Sequence, residues 1–494
     1  MSVLALDAGT TGVTALVVSQ TAQVLARGYA EFPQHFPQDG WVEHEPGEIW
    51  SAALSAVAQA LEALGPDGDA PTAVGITNQR ETVVLWDRET LGSPRRAIVW
   101  QDRRTAGICE QLRGDGHESA VAARTGLRLD PYFSATKLTW IALNEPHVWG
   151  QVTSGRVAVG TVDSYLVARM TRGLHHVTDA SNASRTLLYD IRAGAWSPDL
   201  CDLFRVPIDA LPEVVPSYGV VGRTDPDVFL GLDLPIAGIA GDQQAALFGQ
   251  VCVEPGTSKC TYGTGSFVLV NTGTTPVVSS SGLLTTVAWQ HPDGSLTYAL
   301  EGAVFVTGAA IQWLRDGLQI IGSAAESEAL ARSVPDSGGV VFVPALTGLG
   351  APDWDPHARG TILGVSRGTT RAHLVRATLE AIAFEVQDVV DLMVREAGIS
   401  LPELAVDGGA SANNLLCQLQ ADALQVPVAR AAQLETTGLG AAFLAGLGTG
   451  VWSSTDELVA VVHRDARFEP GAADERAHQR WRVAVERSKS WATL

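Results

Sequence analysis

The sequence predicts an α/β protein with two domains. Strand-like runs such as "SVLALD" and "AVGIT" alternate with longer helical patterns, and in "EIWSAALSAVAQALEALG" (48–65) apolar residues recur at spacings of three and four. Alternation of this kind favours helices layered on sheets. The chain has 494 residues, more than a single hydrophobic core normally serves, so at least two domains are expected.

A loose internal repeat supports the two-domain prediction. "LALDAGTTGVTALVV" and "KCTYGTGSFVLVNTG" (259–273) both predict a strand, a Gly-Thr turn and a second strand, and they lie about half a chain apart. Two similar folds facing a cleft would give this pattern, and a chance recurrence of Gly-Thr turns is the alternative. The weakly charged stretch 237–273 marks the junction, so the predicted domains are 1–249 and 250–494.

Composition and charge exclude several classes of function. Lysine and arginine number 34 against 54 acidic residues, and the net charge of −20 argues against nucleic-acid binding through phosphates. The five cysteines are scattered and form no C-x-x-C pair, which argues against a disulfide framework or a zinc site. Such cysteines fit a reducing compartment, so a cytoplasmic location is expected.

Two segments bear on targeting and membranes. The N-terminus has no basic region, and Asp7 interrupts its apolar run, so no signal peptide is expected. The uncharged stretch 436–455 is long enough to span a bilayer, but it carries five glycines and polar ends. These features predict a buried helix packed closely against a neighbour, and no membrane span.

The first Gly-Thr turn, "ALDAGTTGV" (5–13), follows a strand that ends in Asp7. Backbone N–H groups in a tight glycine turn converge on one point and can bind an anion, and threonine hydroxyls add donors. A neighbouring carboxylate repels a phosphate unless a divalent cation lies between them. The turn is therefore interpreted as a Mg²⁺-phosphate site in which Asp7 holds the metal, with a plain hairpin as the alternative.

Three further clusters carry similar chemistry. "TYGTGSF" (261–267) is a second Gly-Thr turn, and "VDGGASANN" (406–414) predicts a strand, two glycines and a helix whose small residues admit a flat adenine. "GIAGDQQAALFG" (238–249) places Asp242 after a strand, at the start of a helix. Spacing alone leaves two roles open for that carboxylate, a helix cap or an acceptor of a substrate proton.

Other signatures are missing from the chain. It contains no G-x-x-x-x-G-K-[ST] and no G-x-S-x-G elbow. The nearest approach to a dinucleotide fingerprint, "GLGAAF" (438–443), has Phe443 where a small residue is needed. P-loop, serine-hydrolase and dehydrogenase interpretations therefore lose their main support.

Long collinear stretches resemble the FGGY carbohydrate kinase family, and within it the members that phosphorylate glycerol. The similar segments include "GITNQRETVVLWDRETLGSPRRAIVWQDRRT" (75–105), "DPYFSATKLTWI" (130–141) and "YALEGAVFVTGAAIQWLRD" (298–316). Both family signature stretches are present, at 132–141 and 360–380. The resemblance implies two ribonuclease H-like domains, as in actin and hexokinase, with ATP and Mg²⁺ in the cleft between them. It also implies transfer of a phosphoryl group to glycerol, and a homo-oligomer, either a dimer or a tetramer.

The resemblance assigns roles residue by residue. Asp242 is the implied base, and Asp7 and Asp242 are the implied metal-side carboxylates. Glycerol-site positions are Arg80, Glu81, Trp100, Tyr132, Asp242, Gln243 and Phe267. Nucleotide positions are Thr10, Thr11, Gly12, Gly263, Thr264, Gly308, Gln312, Gly409 and Asn413. Trp100 and Phe267 are expected to form an apolar wall, and the polar members to pair with three hydroxyls, so that molecules lacking a hydroxyl are rejected.

Two positions depart from the family pattern. Thr14 replaces the basic residue that usually ends the first phosphate loop. This change leaves three outcomes open: a slower enzyme, compensation by another Lys or Arg, or a different phosphoryl donor. The segment "DVFLGLDLPIAG" (227–238) is shorter than the loop where some members bind fructose bisphosphate, so no such regulation is expected.

Two alternatives compete with a glycerol-specific enzyme. A kinase of another small polyol, such as erythritol, would keep the same fold and mechanism. A non-catalytic polyol sensor would need an additional binding module. The tail after residue 455 predicts a single mixed-charge helical stretch and no basic module, which argues against the sensor.

Overall fold

The computed structural model describes residues 1–493. The first 249 residues form 14 strands among these residues: β1 (Ser2–Ala8), β2 (Gly12–Ser19), β3 (Val24–Glu31), β4 (Glu43–His44), β5 (Pro71–Asn78), β6 (Val84–Asp87), β7 (Ala97–Ile98), β8 (Val157–Gly160), β9 (Val177–Asp179), β10 (Tyr189–Asp190), β11 (Ala195–Trp196), β12 (Glu213–Val215), β13 (Tyr218–Arg223) and β14 (Pro235–Gly241). Their helices are α1 (Pro46–Leu64), α2 (Ala106–Gly114), α3 (Glu118–Thr125), α4 (Ser134–Asn144), α5 (Pro146–Thr153), α6 (Val162–Met170), α7 (Ala180–Ala183), α8 (Pro198–Phe204) and α9 (Asp242–Gly249).

The C-terminal half follows the same alternation. Its strands are β15 (Ser258–Tyr262), β16 (Ser266–Gly273), β17 (Leu284–Gln290), β18 (Leu296–Val304), β19 (Val341–Val343), β20 (Thr361–Leu363), β21 (Leu404–Asp407), β22 (Val428–Ala431) and β23 (Arg464–Phe468). Its helices are α10 (Gly308–Gln312), α11 (Glu326–Arg332), α12 (Arg371–Ala397), α13 (Asn414–Leu424), α14 (Thr436–Thr449), α15 (Thr455–Val461) and α16 (Glu475–Ser488). The proposed boundary at 249/250 falls between α9 and β15.

The two large sheets share the order of six strands, and the C-terminal sheet adds β17 at one edge. The N-terminal sheet runs β3-β2-β1-β5-β14-β13, and the C-terminal sheet runs β17-β18-β16-β15-β21-β22-β23. In each, a hairpin (β1 with β2, β15 with β16) is followed across the sheet by two parallel strands and an antiparallel edge strand. The internal repeat noticed in the sequence is therefore a repeat of topology, and the predicted α/β class with two related folds is confirmed.

Burial explains why the first strand ends where it does. The side chains of β1 are buried from Ser2 to Leu6, and Asp7 is the first that is only partly buried. A strand covered on both faces reads as a continuous apolar run, and here helix α1 covers one face with Ile49, Ala53 and Val57. The carboxylate thus marks the point where the sheet opens to the site.

Helices α9 and α14 pack backbone against backbone. A Cβ placed on Gly249 would lie 2.0 Å from the carbonyl oxygen of Thr436, and one on Gly440 would lie 1.8 Å from that of Ala245. Only glycine allows this approach. The stretch 436–455 was predicted as a buried, closely packed helix, and α14 confirms it over Thr436–Thr449. Within residues 1–493, no helix combines the length and apolar character that crossing a bilayer requires.

The prediction for the C-terminal tail was wrong. Instead of one helical stretch after residue 455, the chain forms α15, strand β23 and α16. In β23 the side chains of Arg464, Ala466 and Phe468 are half-buried and the two between them are exposed, which is the two-residue period of a strand. Pairing with β22 overrides the local helical pattern by continuing the sheet.

Candidate active site

The first Gly-Thr turn joins β1 to β2 at the edge of the N-terminal sheet. Gly12 must lack a side chain, because a Cβ there would lie 2.7 Å from the Ala30 carbonyl oxygen and 2.8 Å from the Tyr29 ring. Gln79, at the end of the neighbouring strand, donates through Nε2 to the Gly9 carbonyl at 2.9 Å. The hydrogen bond from Gln79 therefore fixes the turn against the neighbouring strand.

Asp7 is a partly buried carboxylate in an unfavourable electrostatic environment. Burial, followed by the charges of Asp242 and Glu435, raises the pKa of Asp7 to about 8. Thr14, the departure from the family pattern, is the residue directly across from Asp7 on β2 and is itself buried. Because threonine is neutral, Thr14 adds no positive charge beside the Asp7 carboxylate.

The second turn borders a large cavity in the C-terminal half. The amides of Thr307 and Gly308 donate to the carbonyls of Thr264 and Gly263 at 2.9 and 3.0 Å, which fixes the turn against the start of α10. The cavity has a volume of about 560 Å³. All six nucleotide positions predicted in this half line it: Gly263, Thr264, Gly308, Gln312, Gly409 and Asn413.

Other cavity residues were not predicted. Arg315, Ala324, Ala325, Ser327 and Glu328 complete one side of the cavity. They lie in and before α11, where the sequence shows no glycine turn or other nucleotide signature. Thr10, Thr11 and Gly12 do not line this cavity; they belong to the first turn, in the other half.

The segment "VDGGASANN" (406–414) joins strand β21 to helix α13, as its sequence predicted. Asn413 caps α13 by accepting from the Leu416 amide at 3.0 Å, and its Nδ2 donates to Ser327 Oγ at 3.2 Å. Gly408 adopts a φ of 84°, and a Cβ there would lie 2.5 Å from the Tyr262 carbonyl oxygen. The side chain of Asn413 is thus fixed at the cavity wall.

Asp242 is the first residue of α9, directly after β14. The preceding amide, Gly241 N, donates to Ser181 Oγ at 2.9 Å, and Ser181 in turn donates to the Asp179 carboxylate at 2.9 Å. Asp242 Oδ1 lies 3.0 Å from Arg80 Nε, and its side chain remains 30% exposed. Burial raises the pKa of Asp242 against the opposing effect of Arg80.

Arg80 joins several predicted polyol residues. Its Nη2 donates to the Tyr132 hydroxyl at 3.2 Å, and its Nε lies beside Asp242. Glu81 has a φ of 63°, a conformation that a residue with a side chain rarely adopts, and it accepts from Arg185 Nε at 2.7 Å. Backbone strain of this kind persists only where the surrounding contacts fix it.

The predicted aromatic residues are half-buried. The rings of Trp100 and Tyr132 meet edge to face with centroids 5.6 Å apart, and Phe267 packs on the core that links the two halves. Trp100 also has a polar contact that the sequence does not reveal, because its indole Nε1 donates to Thr10 Oγ1 at 3.0 Å. A residue predicted only as an apolar wall therefore contacts the first Gly-Thr turn.

Gln243 is oriented from the C-terminal half. Lys259 on β15 donates from Nζ to Gln243 Oε1 and to Thr261 Oγ1, the latter at 3.0 Å. Because the carbonyl end of the amide faces Lys259, the Nε2 end is the one directed to other acceptors. Burial lowers the pKa of Lys259, and the nearby carboxylates Asp407 and Asp242 oppose this shift.

Three charged residues that contact the side chains of predicted polyol residues were not predicted: Arg185, Lys259 and Glu301. Each is fully buried. A signal was present for two of them, because "SKCTY" and "LTYALEGAV" each carry one charge inside a strand that is otherwise uncharged. Charged side chains are almost never fully buried unless they are paired, so an isolated charge in a buried strand indicates a partner elsewhere in the chain.

Fold and site together define the class: a two-domain kinase. The predicted nucleotide positions of the C-terminal half line one cavity, and the predicted polyol residues Arg80 and Gln243 are contacted from the opposite half by Glu301 and Lys259. The N-terminal domain of the FGGY family of carbohydrate kinases matches residues 2–249, and the C-terminal domain of that family matches residues 258–449. The chain belongs to the FGGY family of carbohydrate kinases.

Similar proteins support this assignment over the full length. A glycerol kinase of Aromatoleum aromaticum is 54% identical, with 99% of both chains covered. A glycerol kinase of Carboxydothermus hydrogenoformans is 51% identical, over 99% of this chain and 98% of the relative. The crystal structure of Plasmodium falciparum glycerol kinase with ADP has a TM-score of 0.93 at 33% identity, over 99% of this chain and 98% of that structure.

Proposed function

We propose that this enzyme transfers the γ-phosphoryl group of Mg²⁺-ATP to a terminal hydroxyl of glycerol, giving sn-glycerol 3-phosphate and ADP. The observation that carries the proposal is the contact set of Arg80, which brings Asp242 and Tyr132 together beside the first phosphate turn. Full-length relatives at about half identity, all named glycerol kinase, support the same substrate.

Asp242 is the proposed base. Its carboxylate is partly exposed, its pKa is raised chiefly by burial, and α9 fixes its backbone. It would accept the proton of the terminal hydroxyl while that oxygen attacks the γ-phosphorus in line with the departing ADP oxygen. Positioning contributes most of the rate in phosphoryl transfer, so the intrinsic share of proton removal is modest.

The polar residues around Asp242 suit a triol. Gln243 Nε2 offers a donor, Tyr132 offers a hydroxyl, and the partly buried rings of Trp100 and Phe267 offer an apolar surface for carbon atoms. A site of this composition leaves its own polar groups unpaired when a hydroxyl is missing from the ligand. Because of that cost, the site should select a small polyol over an alcohol with fewer hydroxyl groups.

The residues beside the first turn fit a divalent cation. Asp7 is a partly buried carboxylate whose pKa is raised by desolvation and then by the charges of Asp242 and Glu435, and a cation would offset the repulsion between these carboxylates. Asp7 and Asp242 are the proposed metal-side residues. When bound, Mg²⁺ neutralises phosphate oxygens of ATP. Among residues 1–493, no group of three or more acidic, His or Cys side chains is placed to hold a metal ion.

The nucleotide positions divide between the halves. Thr10, Thr11 and Gly12 would bind phosphate from the first turn, and Gly263 and Thr264 from the second. Gly308, Gln312, Gly409 and Asn413 line the cavity, whose volume of about 560 Å³ accommodates an adenosine. Approach of the halves around both ligands would exclude water and limit wasteful ATP hydrolysis.

A coupled ADP-release assay tests substrate and metal together. Purified enzyme is offered glycerol, dihydroxyacetone, erythritol and xylulose, with Mg²⁺ present or withheld. We expect the highest kcat/KM with glycerol, and loss of turnover without Mg²⁺. A higher kcat/KM with erythritol or xylulose would assign the enzyme to another polyol or sugar, and no ADP release with any acceptor would favour a sensor.

The proposal extends to the state of the enzyme in the cell. We infer a cytoplasmic homo-oligomer, either a dimer or a tetramer, on the strength of the family resemblance and the scattered, buried cysteines. Analytical ultracentrifugation at micromolar concentration would distinguish a dimer or tetramer from a monomer. A monomer would contradict the proposed oligomeric state.

A further inference from the structure

Glu301 is a buried carboxylate of the C-terminal half that contacts Arg80, one of the proposed polyol residues. It lies on β18 and is 0% exposed. The next residue, Gly302, faces α12, since a Cβ there would lie 2.4 Å from Val389 Cγ1. Successive strand residues face opposite sides, so Glu301 faces away from α12 and towards the N-terminal half.

The partners of Glu301 are two arginines of the N-terminal half. Arg80 donates to it from Nη1 at 2.5 Å and from Nη2 at 3.1 Å, and Arg185 donates from Nη2 at 3.0 Å. Arg185 also pairs with Glu81. Two positive and two negative side chains thus form one buried cluster, in which each charge depends on the others for compensation.

Electrostatics show that Glu301 is ionised in this cluster. Burial alone would raise the pKa of its carboxyl, but Arg185 and Arg80 outweigh burial and hold the pKa at about 2. The carboxylate is therefore a fixed negative charge at physiological pH. It keeps both Nη groups of Arg80 engaged, while Arg80 Nε lies beside Asp242.

The same strand leads directly to the nucleotide cavity. β18 ends at Val304, and Thr307 and Gly308 then bond to the second phosphate turn at 2.9 and 3.0 Å. Gly308 lines the cavity. One short segment therefore carries both Glu301, which fixes Arg80, and the residues that border the nucleotide.

We propose that Glu301 is a positioning residue that couples polyol binding to nucleotide binding by aligning Arg80 from the opposite half. This inference rests on the proposed function and deepens it. When the nucleotide fixes the C-terminal half, Glu301 holds Arg80 in register with Asp242 and Tyr132, and the polyol meets a completed site. By linkage, the polyol then strengthens nucleotide binding by the same factor.

Calorimetric titration of the full chain tests this coupling. Glycerol is titrated into wild type and Glu301→Gln, each with and without Mg²⁺ and a non-hydrolysable ATP analogue. We expect the analogue to tighten glycerol binding to wild type. We expect Glu301→Gln to bind glycerol about tenfold or more weakly when the analogue is present, as for a lost charged hydrogen bond, and to lose the tightening. Its affinity for the analogue alone should match that of wild type, which a general loss of structure would not allow.

Two further variants keep the result decisive. Glu301→Asp retains the charge on a shorter side chain, so it should fold even if Glu301→Gln does not, and should recover part of the coupling. Glu385→Gln removes another buried carboxyl of the same half, 9% exposed on α12, and should bind glycerol and the analogue as wild type does. Wild-type coupling in both Glu301 variants, or equal losses of glycerol and analogue affinity, would overturn the inference. A wild type that binds the analogue but no glycerol would instead refute the proposed substrate.

Discussion

The indole N–H of Trp100 donates a hydrogen bond to the hydroxyl of Thr10 at 3.0 Å. The backbone amide of Trp100 also donates to Thr82 Oγ1 at 3.2 Å, and the Thr82 hydroxyl donates to Gln79 Oε1 at 2.9 Å. Gln79 in turn bonds the Gly9 carbonyl. These bonds close a ring that ties the proposed polyol wall to the first phosphate turn.

Replacing Trp100 by phenylalanine should separate its two roles. Trp100→Phe keeps an aromatic wall but removes the donor to Thr10, at a cost of about 1 kcal/mol. We expect KM for ATP to rise by about fivefold, and KM for glycerol to change less. Steady-state kinetics with each substrate varied in turn measure both values.

The matched control is Trp196→Phe, which also loses an indole hydrogen bond, to the Pro212 carbonyl at 2.8 Å, but outside the site. It should leave both KM values unchanged. If Trp100→Phe raised only KM for glycerol, the bond to Thr10 would have no part in nucleotide binding.

Gly241 sets the position of Arg80. A Cβ on Gly241 would lie 2.7 Å from both Cγ and Cδ of Arg80 and 2.9 Å from Gln244 Oε1, so Gly241→Ala must displace Arg80. Displacements of about 1 Å at a catalytic site cost up to about 100-fold in rate, and we expect kcat/KM for glycerol to fall roughly 10- to 100-fold. Gly107→Ala is the control, because a Cβ there meets nothing within 4 Å. Equal kinetics of the two variants would show that Arg80 tolerates displacement.

Lys137 holds the segment that carries Tyr132. Its buried Nζ donates to the carbonyls of Pro131, Tyr132 and Phe133 at 2.6, 2.7 and 3.0 Å. Lys137→Met leaves these carbonyls unpaired, so the free energy of unfolding should fall by about 3 kcal/mol or more. In the protein that remains folded, KM for glycerol should rise because Tyr132 shifts.

Urea unfolding and steady-state kinetics measure these two effects for Lys137→Met. Affinity for ADP, whose proposed cavity lies in the other half, serves as the internal control and should not change. A stable variant with the wild-type KM for glycerol would contradict the assigned role of Lys137.

Much of the fold was predictable because its signals are local. Helix α1 and the two Gly-Thr hairpins each depend on a period or a turn that a short window of sequence contains. The cavity positions Gly263, Gly409 and Asn413 were found for the same reason, since their glycine turns and family motifs mark them.

The rest depends on contacts between distant residues. Glu301 and Arg80 are 221 positions apart in the chain, and nothing near either residue indicates the other. The tail prediction failed because the strand character of β23 comes from its partner β22. The bond from Trp100 to Thr10 was hidden because an indole in an apolar segment is usually part of the core.

Glu385 should make stability depend on pH. Burial, followed by the charges of Asp388 and Asp353, raises the pKa of Glu385 to about 8. The unfolded chain ionises this carboxyl near pH 4.3, so between about pH 4.3 and pH 8 the folded protein holds a proton that the unfolded chain has lost. Stability contributed by this group therefore falls as pH rises through that window and levels off above it.

Glu385→Gln should remove this dependence on pH. Its free energy of unfolding relative to that of wild type should therefore be higher at pH 8 than at pH 5, by on the order of a few kcal/mol. Urea unfolding at several pH values measures the difference. Glu62→Gln, which removes an exposed carboxyl from α1, controls for the change in net charge. Parallel stability profiles for wild type and Glu385→Gln would contradict the assignment.

The most direct test of the mechanism is the turnover of Asp242→Asn, measured with glycerol and Mg²⁺-ATP alongside its affinity for ADP. The amide keeps the shape of the carboxylate but cannot accept the hydroxyl proton. If Asp242 both orients and deprotonates the acceptor hydroxyl, turnover should fall by about 10²- to 10⁴-fold while ADP binding stays near that of wild type. A variant that retains a substantial fraction of wild-type turnover would show that Asp242 is not the group that accepts the hydroxyl proton.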